Sequence, residues 1–265
     1  MLKVRIIPVL TFNGISLVKT KQFSNPRIVG NPIQAAKVYN SRNVDELVFV
    51  DINATKQNRK INLPVVKKVI DECFMPVTIG GGIKTLDDIN NLLRIGADKV
   101  LIKTMALNNL NFIVEAVKYF GSQCISIAVD VIKHESARYI FDRNDNKILL
   151  EQFMNDINKC EVGEIILTSV NEDGMMQGYD LELINTVVNM TKVPVVSLGG
   201  AGKLSHFEEL AARGYDGAYA AASIYHFTQY TPREVKLILK NSKEFLGEVW
   251  MSLIPEQWAS VRCRI

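Results

Sequence analysis

Met75-Pro76-Val77-Thr78-Ile79-Gly80-Gly81-Gly82 returns 118 positions later as Val193-Pro194-Val195-Val196-Ser197-Leu198-Gly199-Gly200, and this repeat constrains the fold more than any other feature of the sequence. At the same offset Leu86 meets Leu204, Gly96 meets Gly214, Asp98 meets Asp216, Glu46 meets Glu164 and Asn53 meets Asn171. A doubly wound sheet has no reason to repeat in this way. A closed barrel made of two four-strand halves does.

Short runs rich in Val and Ile supply eight candidate strands, at Arg5–Leu10, Glu46–Asp51, Pro76–Ile79, Asp98–Lys103, Cys124–Asp130, Glu164–Ser169, Pro194–Leu198 and Gly217–Ala221. They are continuously apolar, as parallel strands buried on both faces must be. Helix-start signals lie between them. Asn31-Pro32 offers a cap with proline in the first turn, and Thr85-Leu86-Asp87-Asp88 offers a capping hydroxyl. The expected fold is α/β, a single (β/α)8 TIM barrel of two duplicated halves over 1–245, with a hairpin inserted near 134–148 and a C-terminal extension at 246–265 carrying Trp250 and Trp258. The chain's 265 residues suit one such barrel, typically ~250 residues long.

Composition removes several classes of function. With 31 basic and 28 acidic residues, the charge is too balanced for a nucleic-acid surface. No apolar run approaches a membrane span, and no signal peptide precedes the first strand, so a cytoplasmic location is expected. Cys73, Cys124, Cys160 and Cys263 show no CxxC pairing, and His134, His206 and His226 lie too far apart for a ligand pair. Neither a metal nor a cofactor is expected.

Chemistry in such barrels gathers where the strands end. Gly80-Gly81-Gly82 follows the third strand, and Gly199-Gly200-Ala201-Gly202 the seventh. Two related glycine runs in opposite halves point to a ligand with phosphate at both ends, because backbone N–H groups can close on an anion there. Asp51, Asp130 and Asp173 stand at or just past strand ends. Loop amides are expected to satisfy Asp51 and Asp173, while Asp130 is the candidate acid or base, and the repeat puts Thr11 opposite it. Arg5, Glu46, Lys99 and Glu164 open their strands at the other rim. They read either as an ion-paired plug or as a gate over a polar passage.

Taken together, these residues resemble the HisF family, the cyclase subunit of imidazole glycerol phosphate synthase, over roughly Met1 to Lys240. The resemblance rests on Asp45-Glu46-Leu47-Val48-Phe49-Val50-Asp51-Ile52, Gly80-Gly81-Gly82-Ile83, Gly96-Ala97-Asp98-Lys99-Val100, Phe120-Gly121-Ser122-Gln123-Cys124, Gly163 through Ser169, and Gly178-Tyr179-Asp180-Leu181-Glu182. The Phe120–Gln123 stretch, with Glu46, Lys99 and Glu164, separates it from the related isomerase HisA. The resemblance implies a HisH-like glutaminase docked beneath the barrel, with ammonia passing Arg5, Glu46, Lys99 and Glu164. It also implies phosphate sites at Gly82 and Thr104 in one half, and at Asp173, Gly174, Gly200, Ala222 and Ser223 in the other. Lys19 then matches a mobile-loop lysine and Asp130 one of two catalytic aspartates.

Departures from the family pattern concentrate at the chemistry. The second aspartate falls on Thr11, which can donate a hydrogen bond but cannot serve as a carboxylate base. A phosphate-site asparagine falls on Lys103, which could contact a phosphate or fill that site with its own ammonium. The first loop, from Ile7 to Pro32, is instead similar to a diverged HisF-like branch associated with sugar amidation for surface polysaccharides, in which a third enzyme, a sugar amidotransferase, receives the ammonia. Such a subunit, partnered by a glutaminase and a phosphorylated small molecule, is the leading expectation. A working histidine-pathway cyclase is the second, and a ligand-binding scaffold that activates the glutaminase is the third.

Overall fold

A computed structural model describes residues 4–42, 44–142, 147–215 and 217–241. Eight parallel strands form its centre: β1 (Ile6–Phe12), β2 (Leu47–Asp51), β3 (Val77–Gly80), β4 (Lys99–Ile102), β5 (Ile125–His134), β6 (Glu164–Ser169), β7 (Val195–Leu198) and β8 (Ala218–Ala221). Each pairs with the next, and Ile6 opposite Tyr219 joins β1 to β8, closing the barrel. The half-barrels meet along β4 and β5, where Val100 lies opposite Ile125, and again along β8 and β1. Within the second half, Glu164 lies opposite Ser126 and Thr168 opposite Asp130.

Helices return the chain from each strand to the next. Asn31 caps the helix Pro32–Ser41, accepting from the amides of Ile33 and Gln34 at 2.9 and 3.2 Å. Thr85 and Asp88 form a reciprocal capping box on Leu86–Arg94. Two apolar layers hold the barrel. Inside it, Ile7, Val9, Val48, Leu101, Ile166, Val196, Ala218, Ala220 and Ala222 pack together. The larger layer, with Phe12, Phe49, Ile79, Ile127 and Phe207, lies between strands and helices. Alternation along each strand sends neighbours to opposite layers.

Two hairpins rise from the strand C-terminal rim. What reads in sequence as a loop after β1 is a β-hairpin, Leu17–Lys21 against Ser24–Gly30. Its two-residue turn, Gln22-Phe23, has both φ angles positive, at 48° and 59°. Such turns match the twist of the flanking strands but normally announce themselves as Asn-Gly or Asp-Gly, so this one is silent in sequence. The second hairpin starts earlier than the expected His134–Ile148 insertion. β5 itself continues past the barrel, turns at Glu135-Ser136, and pairs Val131 with Ile140 in the strand Ala137–Ile140. The middle of that insertion (143–146), Asp216 of the repeat, and the 246–265 extension with its two tryptophans lie outside the described residues. Among the described residues, no helix is long and apolar enough to cross a membrane.

Candidate functional site

At the strand N-terminal rim, four side chains form one closed circuit. Arg5 reaches Glu46 at 2.8 Å and also pairs with Glu164. Lys99 reaches Glu46 at 3.0 Å and Glu164 at 2.9 Å. Each cation therefore touches both anions. Thr78 on β3 adds its hydroxyl to Glu46 at 2.7 Å. Both glutamates are buried, and buried carboxylates persist only when paired in this manner. Burial works against the Arg5 charge, but Glu164 and Glu46 outweigh it and raise the guanidinium further, so it stays protonated. Directly above the circuit begins the apolar interior, at Ile7, Val48 and Leu101.

At the opposite rim the charges are held differently. Lys19 comes from the first hairpin and is only 4% exposed. Its ammonium lies 2.7 and 2.8 Å from the two carboxylate oxygens of Asp173, and Thr20 donates to the same group at 3.3 Å. The expectation that loop amides satisfy Asp173 is thus corrected: a lysine does, delivered by the hairpin that sequence reading leaves as a mobile loop. Burial pushes the Asp173 carboxyl up from its ordinary range and nearby Asp130 adds repulsion, while Lys19 pulls it down. Asp51 does accept from loop amides, those of Asn53 and Ala54 at 3.1 Å, and also from Arg59 at 2.6 and 3.0 Å.

Asp130 ends the barrel portion of β5 and is bonded by Lys103 at 2.6 Å. The sequence reading leaves out the contact that the Lys103 ammonium makes, which is to this carboxylate. Thr11 donates its hydroxyl to the Val18 carbonyl on the first hairpin. Both members of the expected Thr11–Asp130 pair are thus hydrogen-bonded within the protein.

Around the rim the glycines sit where backbones cross closely. A Cβ on Gly81 would strike the Asp51 carbonyl, and one on Gly200 the Gly178 carbonyl. One on Gly82 would press on Ala54 and the Arg59 carbonyl, and one on Gly199 on the Ser169 carbonyl. Gly174, at φ 75°, turns its bare Cα to the Thr20 carbonyl. Each is thereby required by loop packing. Thr104 opens the short helix Thr104–Asn108 directly after β4. Ala222 and Ser223 follow β8, and the buried Ser223 hydroxyl finds no hydrogen-bond partner among the described residues.

Several residues of this rim escape sequence reading. These include Arg59 on Asp51, eight residues away, and Thr20 on Asp173 and Phe23 and Phe141 beside Lys103, whose partners are remote in the chain. His226 is another: burial, reinforced by the Lys19 charge, pushes its imidazole down to about 4, against a hydrogen bond to the Val9 backbone. No spacing in the sequence marks any of the five.

Comparison with known proteins agrees with this architecture. A family model described as a histidine biosynthesis protein matches residues 5–231. The chain is similar to two proteins provisionally named imidazole glycerol phosphate synthase subunit hisF2. The one from Vibrio vulnificus (strain YJ016) is 39% identical over 246 residues, covering 92% of this chain and 90% of that protein. The one from Campylobacter jejuni subsp. jejuni serotype O:2 (strain ATCC 700819 / NCTC 11168) is 42% identical over 238 residues, covering 89% and 95%.

Proposed function

The chain belongs to the histidine biosynthesis protein family as a HisF-type barrel, and on that premise we propose that it is the ammonia-receiving subunit of a glutamine amidotransferase whose product is not an imidazole ring. A HisH-like glutaminase docks at the strand N-terminal rim and releases ammonia beneath the Arg5–Glu46–Lys99–Glu164 circuit. Displacing one side chain of that circuit, such as Lys99, opens the axis. The apolar interior above it admits neutral ammonia and rejects ammonium, whose charge is costly to bury unpaired. Ammonia keeps its lone pair and emerges at the mouth as a nucleophile.

One observation carries the diversion from ring closure: Lys103 occupies Asp130, and Thr11 stands where a second carboxylate is needed. Ring closure on an amine requires one group to remove a proton and another to return one, a task for two carboxylates of different affinity. Ammonia delivered here serves amidation of a sugar by a sugar amidotransferase in surface-polysaccharide synthesis. A phosphorylated ligand at the mouth, held by Gly82 and Thr104 or by Gly174, Gly200 and Ser223, signals that the acceptor is ready. Cytoplasmic location follows from this role.

The test has two arms. A strain lacking HisF should not grow without histidine when it carries this gene, and growth at the rate given by an ordinary HisF would overturn the diversion. The purified chain, mixed with a HisH-like glutaminase from the same organism, should elute as a 1:1 complex, and Lys99→Ala should leave glutamine hydrolysis running while ammonia escapes to solvent. Separate elution with an unchanged glutaminase rate would remove the partner reading.

A further inference from the structure

Phe23 and Phe141 have no place in the function above, yet with Lys103 they join four segments at one point. Phe23 sits in the turn of the first hairpin at φ 59°, a conformation that bulky side chains avoid. A residue persists there when its surroundings hold it. What touches this ring is Phe141, edge to face at 5.3 Å between centroids. Phe141 follows the second hairpin, and its amide donates to the Asp130 carbonyl at 2.7 Å. Lys103 Nζ lies 4.9 Å from the Phe141 centroid and 5.7 Å from that of Phe23, while bonding the Asp130 carboxylate at 2.6 Å. One ammonium thus ties β4, β5 and both hairpins.

We infer that Lys103 is a latch, its ammonium seated on Asp130 against the two phenyl rings so that the hairpins close together over the mouth, and that a ligand bearing a phosphate-like anion opens it by drawing the ammonium away. The relative exposure of the two ion pairs says which one yields. Lys19 and Asp173 have side chains 4% and 8% exposed, whereas Lys103 and Asp130 stand at 25% and 12%. Solvent and solutes reach the second pair, so Lys19–Asp173 is the hinge and Lys103–Asp130 the catch. A flexible ammonium changes partners readily, and several phosphate oxygens offer it charge-assisted bonds that a neutral ligand lacks. Release leaves Asp130 unpaired and the Phe23 ring without its cation.

The inference goes beyond the amidotransferase reading, and its test uses neither ammonia nor glutaminase, so the two fail separately. Hydrogen exchange is measured on the full chain at residues 21–25 and at the Phe141 amide. Lys103→Met should quicken exchange at both places by about tenfold while barrel amides such as Ile127 keep their wild-type rates. Millimolar pyrophosphate should quicken the same amides in the wild type, sodium chloride of equal ionic strength should not, and Lys103→Met should not respond. If Lys103→Met fails to fold, Phe141→Leu decides: it should loosen residues 21–25 and keep the response to pyrophosphate. Wild-type exchange in the folded Lys103→Met variant, tight residues 21–25 in Phe141→Leu, or pyrophosphate acting no differently from chloride, would overturn the latch.

Discussion

Both ends of the barrel pair cations with anions, but they are wired differently. At the strand N-terminal rim, Arg5, Lys99, Glu46 and Glu164 make one circuit in which every charge has two opposite neighbours. At the mouth, Lys19 with Asp173 and Lys103 with Asp130 are separate pairs, and the former draws its cation from a hairpin rather than a barrel strand. Side chains at strand ends inherit the rigidity of the sheet, so the circuit is a fixed element. A pair that reaches into a hairpin makes loop position depend on charge. Paired charge thus serves as a wall at one end and as a set of ties at the other.

The largest effect expected from this contrast is kinetic. Given ammonia and the histidine-pathway bisphosphate, the chain should turn over about 10²–10⁴-fold more slowly than a HisF with carboxylates at both positions, the range a general acid or base commands. A stopped assay of imidazole product measures it. Turnover within about tenfold, a barrier difference of only ~1.4 kcal/mol, would erase the functional difference between the two ends.

Stability should divide the ends in the opposite sense. Glu46→Ala removes an anion shared by Arg5 and Lys99 and leaves the Thr78 hydroxyl without its acceptor. Breaking such a buried network costs roughly 3–5 kcal/mol. Lys103→Met breaks one partly exposed pair and should cost about 1 kcal/mol or less. Urea denaturation of both variants checks the ratio. Equal costs would mean that the mouth is as rigid a structure as the circuit.

How much of each end was legible in the sequence follows from the same distinction. Strand-borne charges could be placed because continuous apolar runs locate the strand ends, and the repeat relates Glu46 to Glu164. β6 emerges at Glu164–Ser169, matching the expected bounds, and β5 overruns them because its outer half pairs with the next strand of its own hairpin. The mouth was less legible. Gln22-Phe23 lacks the residues that usually mark its turn, so the first hairpin and its delivery of Lys19 to Asp173 stayed hidden. Likewise, Lys103 stands out as a departure from the family pattern, but only folding shows that the two phenyl rings meet it.

Restoring chemistry at the mouth is expected to take two changes. Thr11→Asp supplies a carboxylate, yet the hairpin that Thr11 now bonds through Val18 must shift to accommodate it, and Lys103 still holds Asp130. Thr11→Asp alone should raise cyclisation less than about tenfold, and adding Lys103→Asn should raise it further, by more than the product of the separate effects, because the sites are coupled. Simple additivity would show that Lys103 does not withhold Asp130.

The smallest effect concerns pH, and it tests whether the mouth is loosened before the barrel. His226 is pushed down to about 4 by burial and by the Lys19 charge. Its imidazole takes a proton near pH 6.5 when unfolded but only near 4 when folded, so the unfolded chain binds more protons between those values. Stability from this group is therefore complete above about pH 6.5 and is lost as pH falls toward 4, by about 1–2 kcal/mol at pH 5. Asp173 acts in the other sense: its carboxyl is raised by burial, so its contribution is largest at low pH and declines as pH climbs through the carboxylate range. The two partly cancel in the wild type. His226→Gln removes one of them, and its stability should rise relative to wild type as pH falls from 6.5 to 5, read as a difference between two denaturation series. A constant offset between the series would mean that His226 ionises as freely as in the unfolded chain, and that the ground beside Lys19 is wetter than its packing indicates.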